Sequence, residues 1–111
     1  MRDIIQTLNN ICPISDAYTD AARITDVHIS QTNSGTTFVR IELDTLKHGV
    51  ISKTYNLTSE PAVQYFKKEM KVLKFIMKDW SDLEYLSDHI TGSLVSVQVK
   101  DDGRTMYLRA P

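Results

Sequence analysis

Between residues 59 and 78 one apolar stripe of helical period sits between two regions that alternate with a period of two. Val63, Phe66, Met70, Leu73 and Met77 step by 3, 4, 3 and 4, the spacing of a helix that buries a single face. Ser59 suits the N-cap, and Glu60 and Pro61 suit the first turn. Lys67, Lys71, Lys74 and Lys78 lie one position further round. Their stems can line the rim of the buried stripe while the ammonium groups stay in water. Several fall towards the helix C-terminus, where cations complement the dipole. The lysine ladder therefore reads as a solvated face rather than a phosphate grip.

Upstream, Thr25, Val27 and Ile29 share one parity. Val39, Ile41 and Leu43 point inward against Phe38, Arg40, Glu42 and Asp44 outward, the alternation of a half-buried strand. The segments NSG at 33–35 and KHG at 47–49 carry turn chemistry. A third strand over 50–57 puts Lys53 on the same face as Ile51, Tyr55 and Leu57, a conflict that a bulge or strong coil would resolve. Downstream, Ser81 and Glu84 suggest a capping box, and Trp80 with Tyr85 a hydrophobic staple, for a second helix. Leu83, Leu86 and Ile90 continue its apolar face until Gly92. Val95, Val97 and Val99 then alternate, Asp102-Gly103 signals a two-residue hairpin, and Met106 and Leu108 return.

Residues 2–12, with Ile4, Ile5, Leu8 and Ile11, predict a short amphipathic helix that Pro13 ends. Residues 13–22 read as a loop. The expectation is a mainly β chain with helices: a five-stranded Greek-key OB-fold barrel (β-β-β-α-β-β) preceded by a short N-terminal helix. The helix and loop occupy 1–22 and the barrel 23–111. The competing arrangement is an open antiparallel sheet with helices on one face.

With 111 residues the chain fits one domain. Its 41% hydrophobic and 24% charged residues exclude a disordered tail. No apolar run spans a bilayer, and the N-terminus lacks a signal peptide's continuous apolar stretch. One cysteine, Cys12, cannot pair within the chain, so a cytoplasmic setting is expected. The net charge of −1 counts against an extended nucleic-acid groove but not against a local patch. No catalytic or metal-ligating motif stands out: His28, His48 and His89 are scattered, and Glu42, Asp44 and Asp101 read as surface charges. No cofactor is implied.

The segments YNLTSEPAVQYFKKEMKVL and DLEYLSDHITGSLVSVQVK resemble those of small bacteriophage and mobile-element proteins related to single-stranded-DNA-binding proteins. The resemblance covers roughly residues 36–100 and is carried by fold-determining positions. It departs at LKFIMKDW, where the family's helix end leads one to expect a glycine. It departs again at YLRAP, which lacks an acidic tail for recruiting partners. It implies a non-catalytic protein that holds single-stranded DNA by stacking and charge, in replication or a related process. In such a barrel the second and third strands and adjoining loops bind. The candidates are Phe38 and Arg40 on the second strand, His48 at the turn, Lys53 on the third strand, and Tyr107 and Arg109 on the last. Phe38 either stacks on a base or packs beneath the N-terminal helix or at a subunit contact. The alternative is a protein-interaction module, for example a phage-encoded inhibitor or adaptor of a replication or defence system. The N-terminal helix could also join two copies.

Overall fold

The computed structural model describes residues 17–103 and 105–111, together with Ile4. Its elements run β1 (Tyr18–Gln31), β2 (Thr37–Thr45), β3 (Val50–Asn56), helix α1 (Glu60–Val72), a 3-10 turn (Trp80–Tyr85), short helix α2 (Leu86–Ile90), β4 (Leu94–Val99) and β5 (Met106–Arg109). The five strands form one antiparallel sheet in the order β3-β2-β1-β4-β5. The chain is mainly β, and the sheet is open between β3 and β5. The N-terminal helix read over residues 2–12, and with it Cys12, lies outside the described residues except for Ile4.

The organising strand is β1. Its later part, from Ala22 to Gln31, pairs with β2, and its first part, Tyr18 to Arg23, pairs with β4. The register slips between Ile24 and Asp26, leaving Thr25 as the extra residue of a bulge. Before the bulge Ala22 and Ile24 point inward; after it Val27 does. The parity that groups Thr25 with Val27 thus holds only beyond Thr25, which is itself exposed. The segment read as a loop becomes strand at Tyr18, so the boundary expected between residues 22 and 23 falls inside β1.

Inward residues of every strand share one core with Phe66 and Met70 of α1 and Leu86 and Ile90 of α2. Each such fully buried side chain contributes about 1.5–3 kcal/mol relative to exposure. Helix α1 packs against β3 and β5, the two edges of the sheet. The sheet is therefore curled until one helix touches both edges.

Helix α1 begins as its sequence predicts, with Ser59 Oγ accepting a hydrogen bond from the Ala62 N–H. It ends sooner than the stripe suggests. Leu73 is the C-cap, Lys74 takes a left-handed φ of 62°, and Phe75 turns back into the core. The Lys74 N–H donates to the Lys71 carbonyl and the Phe75 N–H to the Met70 carbonyl, the bonding of a Schellman motif. The last turn is thus built around a lysine where glycine is usual, and Met77 lies beyond the helix.

The second helical region also differs from expectation. Asp79 and Asp82 form the capping box, in place of Ser81 and Glu84. Trp80 and Tyr85 are 50% and 62% exposed, so they do not close over each other as a staple. The β4–β5 connection is longer than two residues: the Lys100 N–H donates to the Thr105 carbonyl, and Asp102 accepts from the Thr105 N–H and hydroxyl.

Candidate nucleic-acid interface

The six residues singled out from the sequence fall in four places. Phe38 and Arg40 lie on the outer face of the β1–β2–β3 layer, Phe38 half-buried between Ser30 and Asn56 and Arg40 exposed between His28 and Thr54. The Arg40 guanidinium is paired with Glu42 at 3.2 Å, and Asp26 stands directly across from Glu42. The charge round Phe38 and Arg40 is thus mixed rather than basic.

His48 sits in the β2–β3 turn. Its ring stacks on Tyr18 at 3.7 Å between centroids, and its Nδ1 lies 2.7 Å from the carboxylate of Asp20, a buried residue. The same carboxylate accepts from the Lys47 N–H. The His48 hydrogen bond is the main cause holding the Asp20 carboxyl below its ordinary value, and backbone N–H groups add to it against the opposing effect of burial. His48 is therefore engaged in pinning the turn to the start of β1.

Lys53 is turned inward, contrary to its expected outward role, and no bulge relieves the parity conflict in β3. Its ammonium is 2.7 Å from the carboxylate of Glu69, a residue 3% exposed, and 2.6 Å from the Tyr65 hydroxyl. It also donates to the Met106 carbonyl. Glu69 completes the network, accepting from the Tyr55 hydroxyl at 2.6 Å and from the Leu108 N–H at 2.9 Å. Burial lowers the Lys53 pKa, with Glu69 opposing. Burial and the neighbouring Glu69 charge raise the pKa of both Tyr55 and Tyr65. Lys53 and Glu69 thus bridge the gap between β3 and β5 with side chains where no strand ladder exists. The signal for this pair was two charges of opposite sign at core-facing positions, Lys53 by strand parity and Glu69 beside Met70 on the helix stripe.

Tyr107 and Arg109 lie on β5, and here aromatics and cations do meet. The Arg109 guanidinium lies 5.1 Å from the centre of the Tyr107 ring and the Lys100 ammonium 5.4 Å. Tyr65 meets the same ring edge-on at 6.3 Å. A cleft of about 90 Å³ opens there, lined by Tyr65, Lys68, Glu69, Val72, Tyr107 and Arg109. Lys67, Lys68 and Lys71 are exposed along the adjoining helix and form no ion pair among the described residues. Lys68 and Lys100 did not stand out in the sequence, because only the pairing of β4 with β5 and the seating of α1 bring them to Tyr107.

No known family model matches the chain, and no curated protein matches it. No helix among the described residues is long and apolar enough to cross a membrane.

Proposed function

We propose that the protein is a non-catalytic single-stranded-DNA-binding module on a partly open OB-type barrel. Three features support the barrel reading: the strand order β3-β2-β1-β4-β5, a helix inserted between β3 and β4, and the Lys53–Glu69 tie across the open seam. The observation that carries the binding reading is Tyr107, whose ring lies beside Lys100 and Arg109 with Lys68 lining the same cleft. Single strands are held by such a combination, a ring for the base and cations for the backbone. Phe38 and Arg40 form a second, weaker patch, since the acids around them oppose phosphate.

The test is fluorescence titration of a labelled oligo-dT at low and moderate salt. Affinity should fall steeply with salt, because each phosphate contact contributes about −0.7 to the logarithmic slope. Tyr107→Ala should weaken binding roughly 5- to 150-fold, corresponding to one stacked base. No binding at low salt would overturn the reading.

One observation favours a protein partner instead. Leu46 and Val50 flank the β2–β3 turn and are both strongly exposed, an apolar tip better suited to a protein than to a phosphate backbone. Absence of oligo-dT binding at low salt would favour that reading, whereas binding unchanged by Tyr107→Ala and Arg109→Ala would move the DNA contact to another surface.

A further inference from the structure

The bulge at Thr25 does more than bend β1. By shifting the parity it turns Asp26 and His28 onto the outer face, where β2 presents Glu42. Bulges commonly re-aim side chains in this way beside functional sites. The register then sets Asp26 directly opposite Glu42. Like charges in that relation destabilise a sheet unless a cation lies between them.

The three side chains converge. His28 Nε2 is 3.0 Å from Asp26 Oδ2 and 3.7 Å from Glu42 Oε1, and one donor atom from each residue lies within 4.8 Å of the other two. A tetrahedral ion with bonds of about 2.0–2.2 Å separates its ligands by roughly 3.4 Å. The two separations from His28 straddle that value, and the two carboxylates offer oxygens within 4.8 Å of each other. Asp26 keeps Oδ2 available because Oδ1 accepts the Val27 N–H. Glu42 Oε1 is shared with Arg40, which makes Arg40 a competitor for the same oxygen.

We propose that Asp26, His28 and Glu42 form a binding site for a divalent first-row transition metal of the zinc class, with water completing the shell. An imidazole nitrogen with two carboxylates selects such ions over Mg²⁺ and Ca²⁺, which take oxygen ligands. The site is independent of the proposed DNA contact at Tyr107, on another strand of the sheet. The bound cation would relieve the repulsion between the facing carboxylates.

The experiment is calorimetric titration of the chelator-treated, untagged full chain with ZnCl₂, paralleled by Co²⁺ absorption to report the ligand geometry. One ion per chain is expected. His28→Ala and Glu42→Gln should each weaken uptake on the order of tenfold or more, one lost ligand being worth at least about 1.4 kcal/mol. His89→Ala should leave it unchanged, and Arg40→Ala should tighten it by freeing the Glu42 oxygen. These positions are exposed or at the sheet surface, so the variants should fold, which circular dichroism checks. Absence of one-to-one uptake, uptake that persists in His28→Ala, or weaker uptake in Arg40→Ala would each overturn the assignment.

Discussion

Two clusters of acid and base sit on opposite faces of the same sheet and behave as different objects. At the seam between β3 and β5, Lys53 and Glu69 are nearly sealed from water and every polar partner is accounted for: the Tyr55 and Tyr65 hydroxyls, the Leu108 N–H and the Met106 carbonyl. On the outer face, Asp26, His28, Arg40 and Glu42 approach one another at 3.0–3.7 Å, against 2.7 Å for Lys53 and Glu69, and do so in contact with solvent. Burial separates them more than distance does, because a charge stripped of water and then of its partner has nowhere to recover the loss, whereas an exposed one is rehydrated.

The sharpest way to break this contrast is to delete one carboxylate from each cluster. Glu69→Ala should cost about 3–5 kcal/mol in urea denaturation, the cost of leaving a buried ammonium unpaired. That is a large share of the roughly 5–15 kcal/mol typical of a domain. An equal loss in Glu42→Ala would erase the distinction between the clusters. The double variant Lys53→Met with Glu69→Leu should recover part of the loss and remain about 1–3 kcal/mol short of the parent. The shortfall arises because the Leu108 N–H and Tyr55 hydroxyl lose their partners and the Met106 carbonyl keeps only the Tyr65 hydroxyl, at 3.5 Å.

Alkaline titration probes the inner cluster without mutation. Tyrosines of the unfolded chain ionise near pH 10, while Tyr55 and Tyr65 are held protonated in the fold by burial and Glu69. Above pH 10 the unfolded state therefore binds fewer protons, and stability falls as pH rises. Lys53 acts in the opposite sense: its folded pKa is lowered, so stability is gained as pH climbs from that value to its ordinary 10.5. Two tyrosines against one lysine leave a net loss, with each tyrosine contributing up to about 1.4 kcal/mol per pH unit. Thermal melts between pH 9 and 11.5 should show it, and a flat profile would argue against a sealed seam. Smaller again is Lys74→Gly. With φ at 62° the lysine carries a strain that glycine lacks, so the variant should gain about 1 kcal/mol in the same denaturation assay. Glu42→Ala should come last, within about 1 kcal/mol of the parent.

The elements with strong periodicity were legible in the sequence. The Val39, Ile41, Leu43 alternation, the Ser59 cap, the Phe66 and Met70 anchors and the Val95, Val97, Val99 strand all stand where their spacing puts them. Some misreadings arise where local pattern is overridden by a contact distant in sequence, while the capping box at Asp79 and Asp82 and the left-handed end of α1 at Lys74 are local departures. Tyr18 to Ala22 reads as a loop because its strand character depends on β4, more than seventy residues away. The parity of β1 cannot be followed through Thr25 because a bulge has no marker in side-chain chemistry. At the candidate interface the sequence offered Tyr107 and Arg109 but hid Lys68 and Lys100. It also offered Lys53, whose charge suggested solvent and whose partner, Glu69, lay concealed among lysines that do face solvent.

The seam has one more consequence. The Leu108 N–H and the Met106 carbonyl belong to the last strand, whose border away from β4 would otherwise present bare donors and acceptors to any passing chain. Glu69 and Lys53 occupy both, so the pair acts as a guard against intermolecular β-pairing as well as a clasp within the molecule. Loss of the clasp should then reveal itself first as self-association, growing with protein concentration, before the fold itself gives way.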